Sequence, residues 1–392
     1  MTTFLHTADW QLGKPFARVD DPDRQAHLRR LRLDSIDRLG EIARARAAGF
    51  IVVAGDVFDS HRPPDSLISQ ALERIGRLQL PVYVIPGNHD HGGPGCLWES
   101  AHFRREQAEL APNLRVLLAA TPVERDDCIL LPCPLLRRHT VQDPTDWLRS
   151  LDFSALDQRV RIVLAHGSTV NFQSEADEED EPTQANFINL QRLDSQFAEI
   201  DYIALGDWHG FSQAAAKAWY SGTPETDRFP KTGQQPGHVA CVQALRGADP
   251  HVEAIPTGSV RWFEHTQTFT DAEGPEQLSR ALTERIGSTG VTDVVAKLVL
   301  DGHLGLEALA AIDQLLATWR ARMIHLRIDN RVEIQPTADE LAELTQRSDD
   351  PLIAGVAASL VDDLQRGSDE AAIASLALTL LHREVHQLEA SA

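Results

Sequence analysis

Oxygen- and nitrogen-bearing side chains recur in short segments of the chain, and the mixture suits divalent metal ions. In chain order the segments are Asp9-Trp10-Gln11, Gly55–Asp59, Gly87–Asp90, His166-Gly167 and Gly206–His209. Carboxylates, side-chain amides and imidazoles are the ligands that hard and borderline divalent cations take from proteins. Two such ions lying about 3.5–4 Å apart can hold the attacking and leaving oxygens of a phosphate displacement. The segments therefore predict a two-metal centre for phosphoester chemistry.

The spacing of these segments indicates how the fold brings them together. Apolar runs typical of buried strands precede them, at residues 51–54, 82–85, 161–165 and 202–205. In an open α/β sheet, the loops at the carboxyl ends of the strands gather on one edge, where ligands bind. Asp56 comes just past such a strand end and is the natural bridge between two ions. The residues available around it are Asp9, Gln11, Asn88, His166, Asp207 and His209.

The composition is that of a globular protein without a membrane-spanning segment. Hydrophobic residues make up 42% of the chain and charged residues 24%, and no run of about 18 apolar residues occurs. Residues 3–8 are typical of a first strand and not of a signal peptide. The four cysteines form no Cys-x-x-Cys pair, which is typical of idle thiols in a reducing compartment. We therefore expect a cytoplasmic protein that has no contact with a membrane.

The formal charge of −21 argues against a nucleic-acid ligand, because Lys and Arg supply most phosphate binding. Part of the excess is local. Glu175–Glu181 carries six acids in seven residues, and we predict that this run is a solvated loop. Arginines cluster elsewhere, at Arg24, Arg29, Arg30, Arg32, Arg137 and Arg138. The distribution of charge therefore leaves a nucleic-acid ligand open.

The order of elements predicts an α/β protein. Strand-like runs alternate with helical patterns, at about 23–48 and 66–78, which predicts parallel strands joined by right-handed crossovers. From about Leu114 the strands follow one another more closely, which favours antiparallel pairing in the second half. Segment 210–237 is rich in Gly, Pro, Thr and Gln and is predicted to be loop. Strands at 238–244, 252–255 and 263–269 are expected to close this part of the fold.

The pattern changes near residue 270. A helix, a strand, a second helix and a second strand are predicted over 274–335, and this compact unit carries no residues typical of catalysis. The pattern from Thr337 onward is helical and includes a helix at 371–388. We therefore divide the chain into domains at 1–268, 269–336 and 337–392.

Taken together, the metal-ligand segments resemble those of the calcineurin-like metallophosphoesterases. Within that superfamily they are similar to the SbcD/YhaO group of DNA repair exonuclease subunits. The closer likeness rests on the opening His6–Gly13, on Gly55–Asp59 followed by Pro63-Pro64, and on Tyr220–Glu225. The resemblance covers about residues 1–265. It implies an α/β (α+β) sandwich of two mixed β-sheets flanked by helices, with a small α/β capping domain and a helical C-terminal segment.

The resemblance also implies roles for individual residues. It places one ion between Asp9, Gln11, Asp56 and His209, and the other between Asp56, Asn88, His166 and Asp207. It makes His89 the catalytic general acid that protonates the leaving oxygen after attack by a metal-activated hydroxide. Asp90 is expected to orient His89.

Two positions depart from the family pattern. Gln11 stands where the family usually has histidine, and Asp207 stands where its His-x-His has the first histidine. Both changes replace a nitrogen donor by oxygen, so we expect Mn²⁺, with Mg²⁺ as the alternative, in preference to Zn²⁺. The same changes leave open a weak first metal, and with it a one-metal or inactive protein.

The resemblance favours a metal-dependent DNA nuclease, exo- or endonucleolytic, that acts in DNA repair. An SbcC-like coiled-coil ATPase is the expected partner, docked on the helical tail, and the family implies a homodimer. One alternative is a small-substrate phosphodiesterase or phosphatase, which the charge of −21 favours. The other is a non-catalytic DNA-binding subunit with a degenerate metal site, suggested by Gln11 and Asp207.

Overall fold

The computed structural model divides into two compact units, Met1–Val260 and Arg261–Ala392. It describes residues 1–172, 185–193, 195–231, 233–270, 274–287, 290–348, 350–365 and 371–391. The acidic run Glu175–Glu181, which we predicted to be a solvated loop, lies outside the described residues. No helix among the described residues is long and apolar enough to cross a membrane.

The first unit contains strands that alternate with helices in its early part. Its strands are β1 (Thr2–Thr7), β2 (Ile51–Ala54), β3 (Val82–Ile85), β4 (Leu114–Val116), β5 (Val123–Glu124), β6 (Cys128–Cys133), β7 (Val160–His166), β8 (Tyr202–Gly206), β9 (Ser212–Ala215), β10 (Ala218–Tyr220), β11 (His238–Ala244) and β12 (His251–Pro256). Its helices are α1 (Pro22–Ala45), α2 (Asp65–Arg77) and α3 (Ala101–Leu110).

These strands form two mixed sheets. The first has the order β12-β11-β1-β2-β3-β4, in which β11 runs antiparallel to its two neighbours and the other pairs are parallel. The second has the order β5-β6-β7-β8-β10-β9. Helices pack on the outer face of the first sheet. The predicted fold class, two mixed sheets flanked by helices, is confirmed.

Alternate residues of the strands build separate cores on the two faces of each sheet. Phe4 and Val52 of the first sheet pack with Ile162 and Tyr202 of the second in one cluster between the sheets. Leu5, which follows Phe4, faces the opposite way and packs with α1 and α2. Every residue of β2 is buried, as expected for a central parallel strand covered on both faces. This sandwich fixes the strand ends that carry the polar segments.

The first helix begins where the sequence supplies a cap. The Asp21 carboxylate accepts hydrogen bonds from the backbone N–H groups of Asp23 and Arg24, and Pro22 occupies the first helical turn. Such a cap satisfies N–H groups that have no partner within the helix. Because the preceding loop carries Asp9 and Gln11, the cap also fixes where that loop must end.

One of our expectations for the second half of this unit was wrong. The second half is more antiparallel than the first, as expected, since β5 pairs antiparallel with β6 and β11 with both of its neighbours. Within it, β6, β7, β8 and β10 pair in parallel, because the connection after β6 crosses back through 3₁₀ turns that lack helical periodicity. Segment 210–237, predicted to be loop, contains β9 and β10, which pair antiparallel and extend the second sheet. Short strands bordered by Gly and Pro leave little signal in a sequence.

The second unit is an α/β layer followed by helices. Its elements are β13 (Arg261–Phe269), α4 (Gly274–Ile286), β14 (Val294–Leu304), α5 (Leu306–Arg322), β15 (His325–Asn330), β16 (Glu333–Ile334), α6 (Ala338–Thr345), α7 (Pro351–Gln365) and α8 (Ala371–Ser391). β13, β14 and β15 pair in parallel. The strand that we expected to close the first domain is thus β13, which instead pairs with β14 of this unit. The division into three domains at 268/269 and 336/337 stays a prediction.

The C-terminal helices pack on the end of this layer. Leu306, Leu344, Ala357 and Leu378 form a small buried cluster that joins α5 to α6, α7 and α8. Other apolar side chains of the same helices remain exposed, namely Leu352, Val356, Ile373, Leu376 and Leu380. The helices therefore have one face against the unit's own core and a second, apolar face that is exposed.

Candidate metal centre

The loops after β1 and β2 run side by side, and this pairing places the first polar segment. The Asp9 N–H donates to the Gly55 carbonyl at 3.1 Å, and the Gln11 N–H donates to the Asp56 carbonyl at 2.9 Å. Arg32 of α1, which is buried, donates to the Asp9 carbonyl at 3.0 Å. Backbone hydrogen bonds thus fix the two loops to each other, and Arg32 fixes the first loop to α1.

Predicted ligands from several strand ends meet around Asp56. Asp9, Asp56 and His166 each offer one ligand atom, and these atoms lie within 4.8 Å of one another. His166 Nε2 is 3.6 Å from Asp56 Oδ2 and 3.8 Å from Asp207 Oδ1. The same nitrogen is 2.8 Å from Asn88 Oδ1. We call Asn88, His166 and Asp207 the Asn88 half of the centre.

The orientation of His166 leaves a gap for a cation. Its Nδ1 lies 2.7 Å from the Ala54 carbonyl, which can only accept, so Nδ1 carries a proton. In the neutral ring, Nε2 would then be an acceptor that faces another acceptor, Asn88 Oδ1. Two acceptors in contact need a proton or a metal ion between them. The ring is therefore presented to the site as a metal ligand would be.

Two of the remaining predicted ligands, Asp9 and His209, lie close to each other. His209 Nε2 is 4.0 Å from Asp9 Oδ1, and the Asp207 N–H lies 3.2 Å from each Asp9 carboxylate oxygen. His209 Nδ1 is held by Asp227 Oδ1 at 3.1 Å. We call Asp9, Gln11 and His209 the Asp9 half of the centre. Six of the seven residues predicted to ligate metal are linked by these contacts, namely Asp9, Asp56, Asn88, His166, Asp207 and His209.

Gln11 differs from the other predicted ligands in what it contacts. Its Oε1 accepts a hydrogen bond from Lys14 Nζ at 3.0 Å. The Lys14 ammonium also lies 3.3 Å from Asp227 Oδ2. The Gln11 side chain is therefore joined to a cation of the protein itself.

His89 stands beside the shared carboxylate. Its Nε2 is 4.0 Å from Asp56 Oδ2, and its backbone N–H donates to Asp56 Oδ1 at 3.0 Å. Its Nδ1 donates to the backbone carbonyl of Asp59 at 2.8 Å, which turns Nε2 toward Asp56. The neighbouring charge of Asp56 is the main reason why the pKa of His89 is raised, while burial opposes the shift.

Asp90 does not have the role that we expected. Its carboxylate accepts backbone N–H groups of Gly87, Val57 and Phe58 at 2.7–3.1 Å. Those bonds fasten the loop after β3 to the loop after β2. The Asp59 carbonyl orients the His89 ring instead. Asp90 is a scaffold residue because its position immediately after His89 turns the side chain inward, away from the ring.

The electrostatics of the centre favour cations. Burial raises the pKa of the Asp9 carboxyl to about 8, and His166 opposes this while Asp56 and Asp207 add to it. Burial likewise raises the pKa of Asp207 to about 6. For His166, burial lowers the pKa, but the charges of Asp56, Asp9 and Asp207 outweigh it and raise the value to about 9. Buried carboxylates in such numbers are stable when they are paired or when they bind metal.

The donor set therefore fits divalent metal ions. The carboxylates of Asp9, Asp56 and Asp207 and the imidazole of His166 converge on one buried region. Carboxylate, amide and imidazole donors together suit Mn²⁺, Mg²⁺ or Zn²⁺. Asp56, which is close to both halves, is the residue placed to be shared.

Several of these residues have a backbone conformation that side chains rarely adopt. The φ angles of Asp9, Gln11, Asp56 and Asp207 are 55°, 39°, 54° and 101°. Left-handed conformations cost free energy in residues other than glycine and concentrate at functional sites. Gly55, with φ of 95°, also permits close approach, since a Cβ there would clash with His166 Nδ1.

Some residues of the centre were missed in the sequence. Asp227 follows the segment Tyr220–Glu225, and its carboxylate holds both His209 and Lys14. The signal that could have found it is that segment itself, which the resemblance emphasised without assigning a role. Arg32, which we grouped with a cluster of arginines that left a nucleic-acid ligand open, is buried and braces the loop. Asp59 acts through its backbone, which no side-chain pattern predicts.

Two solved structures illustrate the comparisons with known folds. One crystal structure shares 14% sequence identity with this chain, and that of TT1561 from Thermus thermophilus shares 12%. Each match covers 64% of this chain and 98% of the other, with a TM-score of 0.39. Likenesses at this level carry no argument about function.

A family model gives the informative match. The model of the calcineurin-like phosphoesterases matches residues 2–241, which is more than half of the chain and contains every residue of both halves of the centre. The family supports metal-dependent hydrolysis of phosphoesters, in agreement with the converging donors at Asp9, Asp56 and His166. The chain therefore belongs to the calcineurin-like phosphoesterase family.

Proposed function

We propose that the chain is a metal-dependent DNA phosphodiesterase, a nuclease of the SbcD type that acts in DNA repair. The observation that carries the proposal is the position of His89. Its ring is fixed by the Asp59 carbonyl at 2.8 Å, and its Nε2 lies 4.0 Å from the shared ligand Asp56. A histidine beside buried metal ligands can transfer a proton during hydrolysis. A degenerate metal site would have no need of such a group.

In this proposal the residues divide the work of phosphodiester hydrolysis. When bound, two divalent ions lower the pKa of a water molecule and neutralise charge on the phosphate. His89, whose pKa is raised by the neighbouring charge of Asp56, holds a proton on Nε2 and gives it to the leaving oxygen as a general acid. Asp56 lies close to both halves of the centre and would be a ligand that both ions share. The Asp59 carbonyl accepts a hydrogen bond from His89 Nδ1–H, so Nδ1 keeps its proton and Nε2 is the nitrogen that gives its proton away.

Local charge supports a polyanionic substrate in spite of the total of −21. His61 and His91 follow Asp59 and His89 by two residues, and their rings stack with centroids 5.9 Å apart. Burial lowers the pKa of His91, and nearby His61 and Arg138 lower it further, so His91 is neutral near pH 7 and Arg138 supplies the positive charge here. Phosphate groups are attracted to such a cation and repelled by acidic surface.

The donor set supports Mn²⁺ as the metal, with Mg²⁺ as the alternative. Oxygen donors dominate, since Asp9, Asp56, Asp207 and Asn88 supply oxygens beside two imidazoles. Hard cations prefer such a set, whereas Zn²⁺ sites usually contain more nitrogen or sulfur. A stoichiometric pair of Zn²⁺ ions bound more tightly than Mn²⁺ would contradict this part of the proposal.

The helical segment supports a partner of coiled-coil type. Ile373, Leu376 and Leu380 follow at spacings of three and four on α8 and are 69%, 57% and 43% exposed. An apolar row with this spacing fits against another helix. We propose an SbcC-like coiled-coil ATPase as the partner, with homodimerisation of the chain as a second association.

The nuclease proposal is tested by degradation of end-labelled single- and double-stranded DNA in Mn²⁺. We expect cleavage by the full chain that EDTA abolishes and that His89→Ala lowers by about 10²–10⁴-fold. His251→Gln, at an exposed position of β12, is the matched control and should cleave as the wild type does. If His89→Ala cleaves normally while metal still binds, His89 is not the acid.

A small phosphoester is the second candidate, which the charge of −21 favours. The same metal chemistry would serve both substrates. Rates on a chromogenic phosphodiester and on oligonucleotides separate them. A rate on the small diester that far exceeds the rate on oligonucleotides would replace DNA by a small substrate.

The partner proposal has its own test. We expect Ile373→Ser together with Leu376→Ser to abolish binding of a coiled-coil ATPase partner without loss of folding, measured by co-purification and by circular dichroism. Leu245→Ser, a change at a 49% exposed residue of the first unit, is the control. Unchanged binding by the double variant would refute this docking surface.

A further inference from the structure

The contact between Gln11 and Lys14 bears on how the first ion is held. Gln11 Oε1 accepts from Lys14 Nζ at 3.0 Å. A side-chain amide has one oxygen, and an ammonium group can only donate, so it is the oxygen that faces Lys14. A metal ion would need that same oxygen. Two cations on one neutral oxygen repel each other, and Gln11 is therefore a poor metal ligand in this chain.

The surroundings of Lys14 place its ammonium at the edge of the centre. Nζ lies 3.3 Å from Asp227 Oδ2 and 4.0 Å from Asp59 Oδ1, and only 13% of the side chain is exposed. Asp227 is the residue that holds His209, and the Asp59 carbonyl is the group that holds His89. The ammonium thus lies between the groups that fix a metal ligand and those that fix the general acid.

A half-buried ammonium in this position can bind substrate. Asp9, Asp56 and His209 remain as donors for an ion in the Asp9 half. A phosphate held beside His89 brings negative oxygens to the same place, and an ammonium binds phosphate oxygens through charge-assisted hydrogen bonds. The carboxylates of Asp227 and Asp59 and the Gln11 amide hold the Lys14 side chain toward this region.

We infer that Gln11 and Lys14 form a subsite that binds a phosphate group of the substrate. Neither residue is then part of the metal centre. Lys14 contacts the phosphate oxygens, and Gln11 is a positioning residue that fixes the ammonium. The inference rests on the proposed phosphodiesterase function and deepens it, because it names the protein cation that receives the substrate.

The first test counts metal ions without any substrate. Equilibrium dialysis of the full chain with Mn²⁺ alone compares the wild type with Gln11→Ala, and Asn88→Ala serves as the positive control. We expect Gln11→Ala to bind as many ions as the wild type, with each dissociation constant changed by less than about tenfold. Asn88→Ala should lose an ion or weaken it. Loss of an ion from Gln11→Ala, or weakening by about tenfold or more, would overturn the inference.

The second test measures phosphate. Calorimetric titration of the Mn²⁺-loaded protein with inorganic phosphate compares the wild type with Lys14→Met. We expect binding to weaken by about tenfold or more, since one charge-assisted contact is lost, while the number of bound Mn²⁺ ions stays the same. Phosphate affinity equal to that of the wild type would overturn the inference.

Further variants separate charge from packing. Lys14→Arg keeps a cation and should restore part of the phosphate affinity that Lys14→Met loses. Lys297→Met removes a lysine paired with Glu264 at 3.1 Å in the second unit and should change nothing. If Lys14→Met fails to fold, the ion count of Gln11→Ala still decides. Neither measurement uses DNA or turnover, so a failure of the nuclease proposal would be seen separately.

Discussion

The Asn88 half of the centre is aligned by main chain, whereas the Asp9 half depends on charged side chains. His166 donates Nδ1–H to the Ala54 carbonyl at the end of β2, a group that the sheet holds in place. His209 is instead held by the carboxylate of Asp227, which also contacts Lys14. A backbone partner is fixed by the topology and does not titrate. A carboxylate partner can be removed by one substitution. The metal affinity of the Asp9 half is therefore the property of the site that single substitutions can change.

The largest effect is expected where the halves meet. Asp56→Asn removes the carboxylate that lies within 4.0 Å of both His166 and His89, so we expect both ions to weaken. Hydrolysis of a chromogenic phosphodiester should fall on the order of 10³-fold. Asp249→Asn, an exposed change of the same type, should leave the rate unchanged. A variant at Asp56 that still binds one ion normally would show that the halves are independent.

A change at Asp227 is expected to act on one half only. Asp227→Asn removes the charge that holds the His209 ring, and losing such an outer partner of a ligand typically costs about 10–100-fold in metal affinity. A Mn²⁺ titration should show one weakened ion and one unchanged ion. Equal weakening of both ions would remove the distinction between the halves.

The backbone-held half can be tested through glycine. Gly55→Ala would drive a Cβ into His166 Nδ1 at a φ of 95°, so we expect a loss of about 3 kcal/mol or more in the free energy of unfolding. Gly95→Ala is the matched control, since its φ is 75° and nothing lies within 4 Å. It should cost about 1 kcal/mol. Urea unfolding of both variants measures the difference, and equal costs would mean that the close approach is unimportant.

Near neutral pH the smallest effect concerns His6, which joins the strands that lead to the two halves. It lies on β1 and contacts the Tyr202 hydroxyl at 2.9 Å and the Leu205 carbonyl at 3.2 Å, both on β8. Burial lowers the pKa of His6 to about 3, and the hydrogen bond to Leu205 opposes this only in part. The folded protein therefore keeps this ring neutral well below the pH at which a free histidine becomes protonated.

The sign of the pH effect follows from this shift. Above pH 6.5 neither state binds the proton. Between pH 6.5 and about 3 the unfolded chain binds one more proton than the folded protein. As the pH is lowered through this range, the free energy of unfolding therefore falls by up to about 1.4 kcal/mol per pH unit. In His6→Gln this contribution is absent, and the unfolding midpoint should depend less on pH than in the wild type. His251→Gln is the control, and parallel pH profiles for His6→Gln and the wild type would contradict the prediction.

The sequence carried enough information for the sheets and for the meeting of the polar segments. Buried apolar runs such as 51–54 predict central parallel strands, and the rule that strand ends share an edge then brings Asp9, Asp56, Asn88 and His166 together. The two-sheet sandwich came from the resemblance. What the sequence could not supply are contacts set by tertiary geometry: Lys14 on Gln11, Asp227 on His209 and the inward turn of Asp90. Nor could it distinguish parallel from antiparallel pairing for β6–β8, where the crossovers lack helical periodicity.

The left-handed backbone at Asp9, Gln11, Asp56 and Asp207 has a consequence for how such a protein would change once its activity is no longer selected. Each position stores on the order of 1 kcal/mol of backbone strain that a glycine would release. Mutations to glycine at these positions would therefore remove a functional side chain and release backbone strain in a single step. A lineage that loses catalysis should drift quickly toward a more stable, inert protein, and retention of all four residues in a relative would be a sign that its chemistry is still in use.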